Sequence, residues 1–445
     1  MKKVMMALVG VLTILCALTP VHARSLKSQL KNTLFAASPD QSLFLTVPGP
    51  LGRQVPVFSA NPQRFGQLIQ SGGANGIARF FTRGLSNEIL TESVTVPVPS
   101  GSPSFVYVYN TSLNVFEREA IGLGSIFNER VNTLGKGLFA VGVAYIRQDF
   151  DEFNGKDLSN LSITKGLFAR QTSLGEFLDP GLVKASVDLD ISTSTVALYG
   201  IYGLTDWLDV SLLLPITEIS LKAQSVIDRG LPTLQKDLPV FRPNSQCTTD
   251  NPNQCRPADF TILRKGTPFV FGSGQPVRNT VDRTRAGIGD LILRSKARFI
   301  DGSWGALGGL TEFTVPTGQE DNFLGDGAFK ARFLFLYSKG FLENHLNFHL
   351  NGGGKVTTQT SLKNALEYGS TVDLMVTPQL SLIAEMIGSW RVDSGGLPDN
   401  FIDGAFGFKA NPFAGLIIQA SFRIPATNDG LRSDLTYLAG LEYDF

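Results

Sequence analysis

Hydrophobic and polar residues alternate with period 2 through most of residues 134–445. That repeat sends successive side chains to opposite faces of a strand. Twelve stretches carry it: 134–148, 185–202, 206–218, 286–299, 304–316, 327–337, 343–353, 364–377, 379–391, 401–411, 414–425 and 434–445. In the second, Val187, Leu189, Ile191, Ala197, Tyr199 and Ile201 alternate with Ser186, Asp188, Asp190, Ser192 and Ser194. In the fourth, Leu291, Leu293, Ala297 and Phe299 alternate with Asp290, Arg294, Lys296 and Arg298. In the last, Leu435, Tyr437, Ala439, Leu441, Tyr443 and Phe445 share one face.

The connections alternate too. Short turns at 203–206, 300–303, 338–342, 377–378 and 411–414 interleave with longer polar loops at 149–184, 219–285, 317–326, 354–363, 392–400 and 426–433. Short turns at one end and long loops at the other are the pattern of a bacterial transmembrane barrel. A β-sandwich also has many short strands, but nothing in it requires that rhythm. The expected fold is therefore all-β, a transmembrane antiparallel barrel of about 12 strands. Aromatics near the short turns (Tyr199, Tyr202, Trp207, Phe299, Trp304, Tyr337, Phe341 and Phe413) predict an interface belt.

Strand parity, with apolar residues facing lipid, predicts a charged lumen. It places Asp188, Asp190, Asp290, Arg294, Lys296, Arg298, Glu312, Lys330, Arg332, His345, His349, Glu367, Asp373, Glu385, Asp403, Lys409, Arg423 and Glu442 on the inner face. A water-filled lumen with such charge ladders would align a polar or amphipathic solute, its cationic strands favouring anionic groups. Without a pore, the same charges would pair into a core that fills the barrel.

The first 133 residues break the rhythm. Lys2 and Lys3, the apolar run 4–18 and Val21 and Ala23 read as a signal peptide cleaved after Ala23. Residues 24–133 then form a mixed helical and irregular segment, either a periplasmic domain or a plug entering the barrel. Residues 134–445 are the barrel, with 219–285 its largest extracellular loop.

Composition narrows the function. Basic and acidic residues number 39 each, and removing Lys2 and Lys3 leaves 37 against 39, a net −2. That supplies no basic field for nucleic acid. Cys247 and Cys255, with seven residues between them, are expected to form a disulfide that staples the long loop. No metal or cofactor site is expected. His345 and His349 are i and i+4, but on a strand that separates them by about 13 Å. Gly-x-Ser-x-Gly is absent. Gly352-Gly-Gly-Lys355 lacks the Ser or Thr of a phosphate loop. Phe348-His-Leu-Asn351 lacks the serine of the outer-membrane phospholipase barrels, so an enzyme is not expected.

A chain that closes an alternating strand on Phe445 resembles the outer-membrane β-barrels, whose terminal Phe is read by the barrel assembly machinery. Three stretches narrow the likeness: 125–130 with 135–145; Tyr199-Gly-Ile-Tyr-Gly-Leu-Thr-Asp-Trp through Pro215; and Gly287-Ile-Gly-Asp290 through Arg298 with Pro316-Thr-Gly318. Over residues 120–445 they resemble the outer-membrane barrel transporter family of the phenol-degradation (meta-pathway) type. These motifs mark a turn and strand starts, hence the scaffold more than a binding site. The resemblance implies passage of aromatic or other hydrophobic compounds. The expectation is a monomeric outer-membrane channel, surrounded by outer-membrane lipid, for passive or gated uptake of small amphipathic or hydrophobic solutes. The rival is a structural or adhesion barrel with a closed, charge-filled lumen.

Overall fold

The computed structural model describes residues 122–166, 182–229, 277–359, 362–392, 400–413 and 415–445, with shorter pieces including 25–35, 89, 91–92 and 100. Residues 1–23, Cys247 and Cys255 lie outside the described residues. No described helix is long and apolar enough to cross a membrane.

Twelve strand positions close into one antiparallel barrel. They are β1 (Phe139–Phe150), β2 (Leu182–Thr205), β3 (Leu208–Arg229), β4 (in two pieces, Val277–Ile288 and Leu291–Gly302), β5 (Gly305–Val315) and β6 (Lys330–Phe341). The remaining six are β7 (Leu346–Thr357), β8 (Ala365–Thr377), β9 (Leu380–Arg391), β10 (Asn400–Phe413), β11 (Leu416–Pro425) and β12 (Thr436–Asp444). Each stretch read from the alternation falls on one of them. The ring closes where β12 pairs with β1, from Thr436 opposite Gln148 to Asp444 opposite Ala140. Beyond it, Phe445 N–H donates to the Phe139 carbonyl at 2.8 Å. Closure leaves the twelve-strand ring itself without an unpaired edge among the described residues, the condition for strands to stand in lipid.

The outer surface is apolar. Leu212, Leu293, Phe333, Phe335, Leu382, Phe406 and Tyr437 are all exposed there, Phe335 at 77%. Tyr202, Trp207, Phe299, Trp304, Phe341 and Phe413 are exposed beside the short turns, as a belt requires. Tyr199 does not join them: it faces inward, with Ala144, Ala197 and Leu213.

β2 and β3 run for 24 and 22 residues, where a membrane crossing takes about 9–11. Their excess rises past the bilayer at the long-loop end, where the first piece of β4 pairs with β3 and Leu161–Gly166 pairs with β2. There the inward face is an apolar core of Val187, Leu189, Ile191, Ile219, Leu221 and Val281. The helix α1 (Leu26–Phe35) lies against it through Leu26 and Leu30. Ser225 Oγ donates to the Thr33 carbonyl, and Leu26 N–H donates to Asn322 Oδ1 at 3.2 Å. Phe323 and Leu324, from the β5–β6 loop, complete the core.

The break in β4 anchors that loop. Pro215 of β3 has no N–H to give, but its carbonyl accepts Gly289 N–H at 2.9 Å. The Asp290 carboxylate accepts Gly318 N–H at 2.9 Å and Asp326 N–H at 3.1 Å. Thr317 Oγ1 donates to the Gly289 carbonyl at 2.8 Å. The 287–290 and 316–318 motifs are thus two sides of one contact.

Candidate functional site

Residues 122–134 lie inside the barrel as a bent loop with no strand or helix of its own. A chain buried in this way must find partners for each N–H and C=O, because an unpaired buried polar group is costly. The inward side chains of the wall supply them. Glu385 of β9 accepts three successive N–H groups, from Ile126 (3.3 Å), Phe127 (2.9 Å) and Asn128 (3.0 Å), and also the Thr371 hydroxyl (3.0 Å). Asp373 accepts Gly124 N–H at 2.9 Å, Ser381 accepts Leu123 N–H at 2.9 Å, and Ser338 accepts Val131 N–H at 3.0 Å. Asn351 makes a pair, accepting Glu129 N–H and donating to the Glu129 carbonyl, each at 2.7 Å. Asp209 takes Leu134 N–H at 2.8 Å at the short-turn end.

The wall also makes room. A Cβ on Gly369 would lie 2.1 Å from Asn128 Oδ1, and one on Gly407 would lie 2.6 Å from Ile126 Cδ1. Gly124 turns the loop with φ +77°, a conformation that favours glycine. Ser100 joins from earlier in the chain: its N–H donates to the Ile126 carbonyl at 2.7 Å and its carbonyl accepts from Lys409 Nζ at 3.0 Å.

Above this loop, in the long-loop half, is a cavity of ≈ 190 Å³. Phe127 and Asn128 line its lower side. For scale, an apolar cavity of about 150 Å³ holds benzene, so a single-ring molecule fits.

One wall of the cavity is a chain of ion pairs. Arg294 donates from Nε to Glu312 at 2.6 Å and from Nη1 to Glu129 at 3.0 Å. Arg332 pairs with Glu367 and lies 3.6 Å from Glu312. Lys355 lies 3.4 Å from Glu367, and Lys330 lies 2.5 Å from Asp326. The strand register dictates the order. Arg294 stands opposite Glu312 and Glu312 opposite Arg332, so charges alternate across β4, β5 and β6.

The opposite wall is richer in arginine. Asp403 accepts both Arg432 and Arg423, the latter at 2.8 Å. Arg391 pairs with Glu92, which comes from the N-terminal segment. Phe401 lies beneath two guanidinium groups, with Arg391 4.2 Å and Arg432 5.3 Å from its ring centroid. Such stacking contributes about 0.5–2 kcal/mol.

The structure brings the residues read as luminal together in two places. Asp290, Arg294, Glu312, Lys330, Arg332, Glu367, Asp403 and Arg423 line the cavity. Asp373, Glu385, Lys296, His349 and Lys409 are buried around the inserted loop, with Lys296 3.6 Å from Glu129 and His349 Nδ1 2.8 Å from Ser338 Oγ. Glu442 is buried on the inner face of β12.

Four residues lie elsewhere. Asp188 and Asp190 are exposed on the outer face of β2, above the bilayer, with Lys222 Nζ 3.3 Å from Asp190. Their parity was read inverted, because the apolar residues between them face a core and not lipid. His345 is exposed in the β6–β7 turn, its Nδ1 3.0 Å from the Leu342 carbonyl. Arg298 sits at the short-turn rim, 3.4 Å from Asp301 and 3.1 Å from the Asp206 carbonyl.

Sequence reading missed Glu92, Glu129, Lys355, Phe401, Arg391 and Arg432. Parity could have found Arg391, which shares a face with Glu385, and Lys355, which shares one with His349. Glu129 lies in the 125–130 motif, read as scaffold near a strand start but placed here inside the lumen. Nothing periodic marks Glu92 or Arg432. Among the described residues, no group of His, Cys, Asp and Glu is arranged to hold a metal.

No protein-family model matches the chain, and no curated protein matches its sequence. Solved structures do show some likeness. The COG4313 outer membrane channel from Pseudomonas putida F1 is 15% identical, with 71% of this chain and 98% of that one covered and a TM-score of 0.40. The TodX monoaromatic hydrocarbon channel is 10% identical, covering 79% and 97%, with a TM-score of 0.33. The Ralstonia pickettii toluene transporter TbuX is 9% identical, covering 73% and 97%, with a TM-score of 0.28. At these scores the likeness carries no weight. The barrel assignment rests on the closed ladder from β1 to β12 and its apolar outer surface.

Proposed function

We infer that this chain is an outer-membrane channel through which small amphipathic or hydrophobic compounds, aromatic ones included, pass under the control of the inserted segment. The observation that carries this reading is the placement of the cavity. A charged space large enough for one ring stands directly on a loop that joins the wall through hydrogen bonds, ion pairs and side-chain packing but no strand pairing, so its floor can move without unzipping the wall.

The resemblance to the phenol-degradation transporters points the same way, and the 125–130 motif behind it falls on the loop. One observation favours a closed structural or adhesion barrel instead: the apolar core around α1 covers the long-loop mouth. Single-channel conductance of the refolded protein, with and without residues 24–133, tests the two. Conductance that rises on truncation supports the channel, and silence in both forms supports the closed barrel. If the truncated chain does not refold, full-length Glu385→Ala takes its place, with the same two outcomes.

A further inference from the structure

The arginine wall of the cavity carries more information than a charge count. Glu92 lines both the ≈ 190 Å³ cavity and a second space of ≈ 10 Å³. Asp403, Arg423 and Arg432 line both as well. Glu92 therefore stands in the partition between the two spaces, paired with Arg391. Among the described residues, the strands and the adjoining loop supply this wall with three guanidinium groups and one carboxylate, Asp403, which takes Arg423 and Arg432. The second carboxylate is borrowed from the N-terminal segment. Phe401, with both Arg391 and Arg432 over its ring, also lines the cavity and adds an aromatic side chain beside the charges.

A guanidinium group recognises a carboxylate by geometry as well as charge, and such charge-assisted bonds are stronger than neutral ones. Glu92 fills that role from a helical turn in which Ile89 is buried in the upper core. Nothing covalent ties its carboxylate to Arg391, so a second carboxylate arriving in the cavity would meet the same donor. Displacement of Glu92 would also cost the N-terminal segment its ion pair to the wall.

We propose that this wall is a binding site for a small organic anion with an aromatic ring, and that Glu92 is its built-in competitor. The carboxylate of the solute pairs with Arg391, its ring lies against Phe401, and Glu92 is driven out. The proposal rests on the channel reading, since it names the solute class of that cavity and the contact that solute would release.

The test uses the full-length refolded chain in detergent, with benzoate as probe and benzyl alcohol as its neutral counterpart, both measured by calorimetry. Glu92→Gln removes only a charge and keeps the size of the side chain. It is expected to tighten benzoate by about tenfold, the equivalent of one charge-assisted hydrogen bond freed for the ligand. Benzyl alcohol should change less than about twofold, having no charge to pair with Arg391. Unchanged benzoate affinity in Glu92→Gln overturns the competitor role. Equal affinity for the two probes in the unaltered protein overturns the anion preference. A barrel silent in bilayers that still binds benzoate in this Glu92-dependent way refutes passage while leaving the site in place. A conducting barrel that makes no distinction between the probes does the reverse.

Discussion

The lower and upper halves of β2 and β3 follow one register and obey opposite rules. Low on β2, Leu198 is exposed and Tyr199 is buried, while high on the same strand Asp190 is exposed and Leu189 is buried. Odd-numbered residues face inward throughout, and what changes is the surroundings. In the membrane the outer neighbour is lipid, which demands apolar side chains, and the lumen tolerates charge because water or a paired carboxylate can reach it. Above the membrane the outer neighbour is water, and the interior is a dry core built with α1. A single strand is therefore a membrane strand for half its length and a strand of a soluble domain for the rest.

The largest expected effect comes from the upper core. Leu221→Ala should destabilise the extension by about 2–5 kcal/mol, the usual cost of a buried leucine cavity. Proteolysis of the refolded protein checks this: cleavage should speed up in the β2–β3 extension while the barrel stays protected. Next is a reversed pair on the two outer faces. Phe335→Arg, on the lipid side of β6, should cost about 2–4 kcal/mol if it lies near the bilayer midplane. Asp190→Arg, on the outer side of β2, loses an exposed ion pair to Lys222 and should cost no more than about 1 kcal/mol. Denaturant titration in lipid vesicles reads both, and equal costs would erase the distinction between the halves. The smallest effect is expected from Lys222→Gln. It removes the same exposed pair without adding a like charge and should change stability by less than about 0.5 kcal/mol.

That contrast also explains what was legible in the sequence. All twelve strands were, because period-2 alternation persists whichever neighbour is wet. The direction each face points was legible only in the membrane. Asp290, Arg294 and Glu312 were placed inward because their apolar neighbours meet lipid. Asp188 and Asp190 were misplaced because Val187, Leu189 and Ile191 are apolar for a different reason. His345 and Arg298 have inward parity, but each sits at the short-turn rim where the wall ends.

The inserted loop left almost no periodic trace. Its partners are backbone N–H groups, which every residue has, so Ser125–Arg130 looks like any short polar run. Its complement was written in the wall instead, as glycines at 369 and 407 and a lone acid at 385, each on an inward face. Pairing those with a segment far away in the chain takes three dimensions. Glu92, meeting Arg391 across nearly three hundred residues, is the extreme case.

Residues 122–134 are held inside the barrel by Glu385 and its neighbours. Amide hydrogen exchange of the protein in lipid nanodiscs, compared with Glu385→Ala, tests it most directly. The account predicts that Phe127 and Asn128 are protected nearly as well as the strands. In the variant their opening should become easier by about 1–3 kcal/mol, the cost of leaving such donors unpaired, with strand protection unchanged. Fast exchange of Phe127 and Asn128 in the unaltered protein, at the rate of an exposed loop, would contradict it.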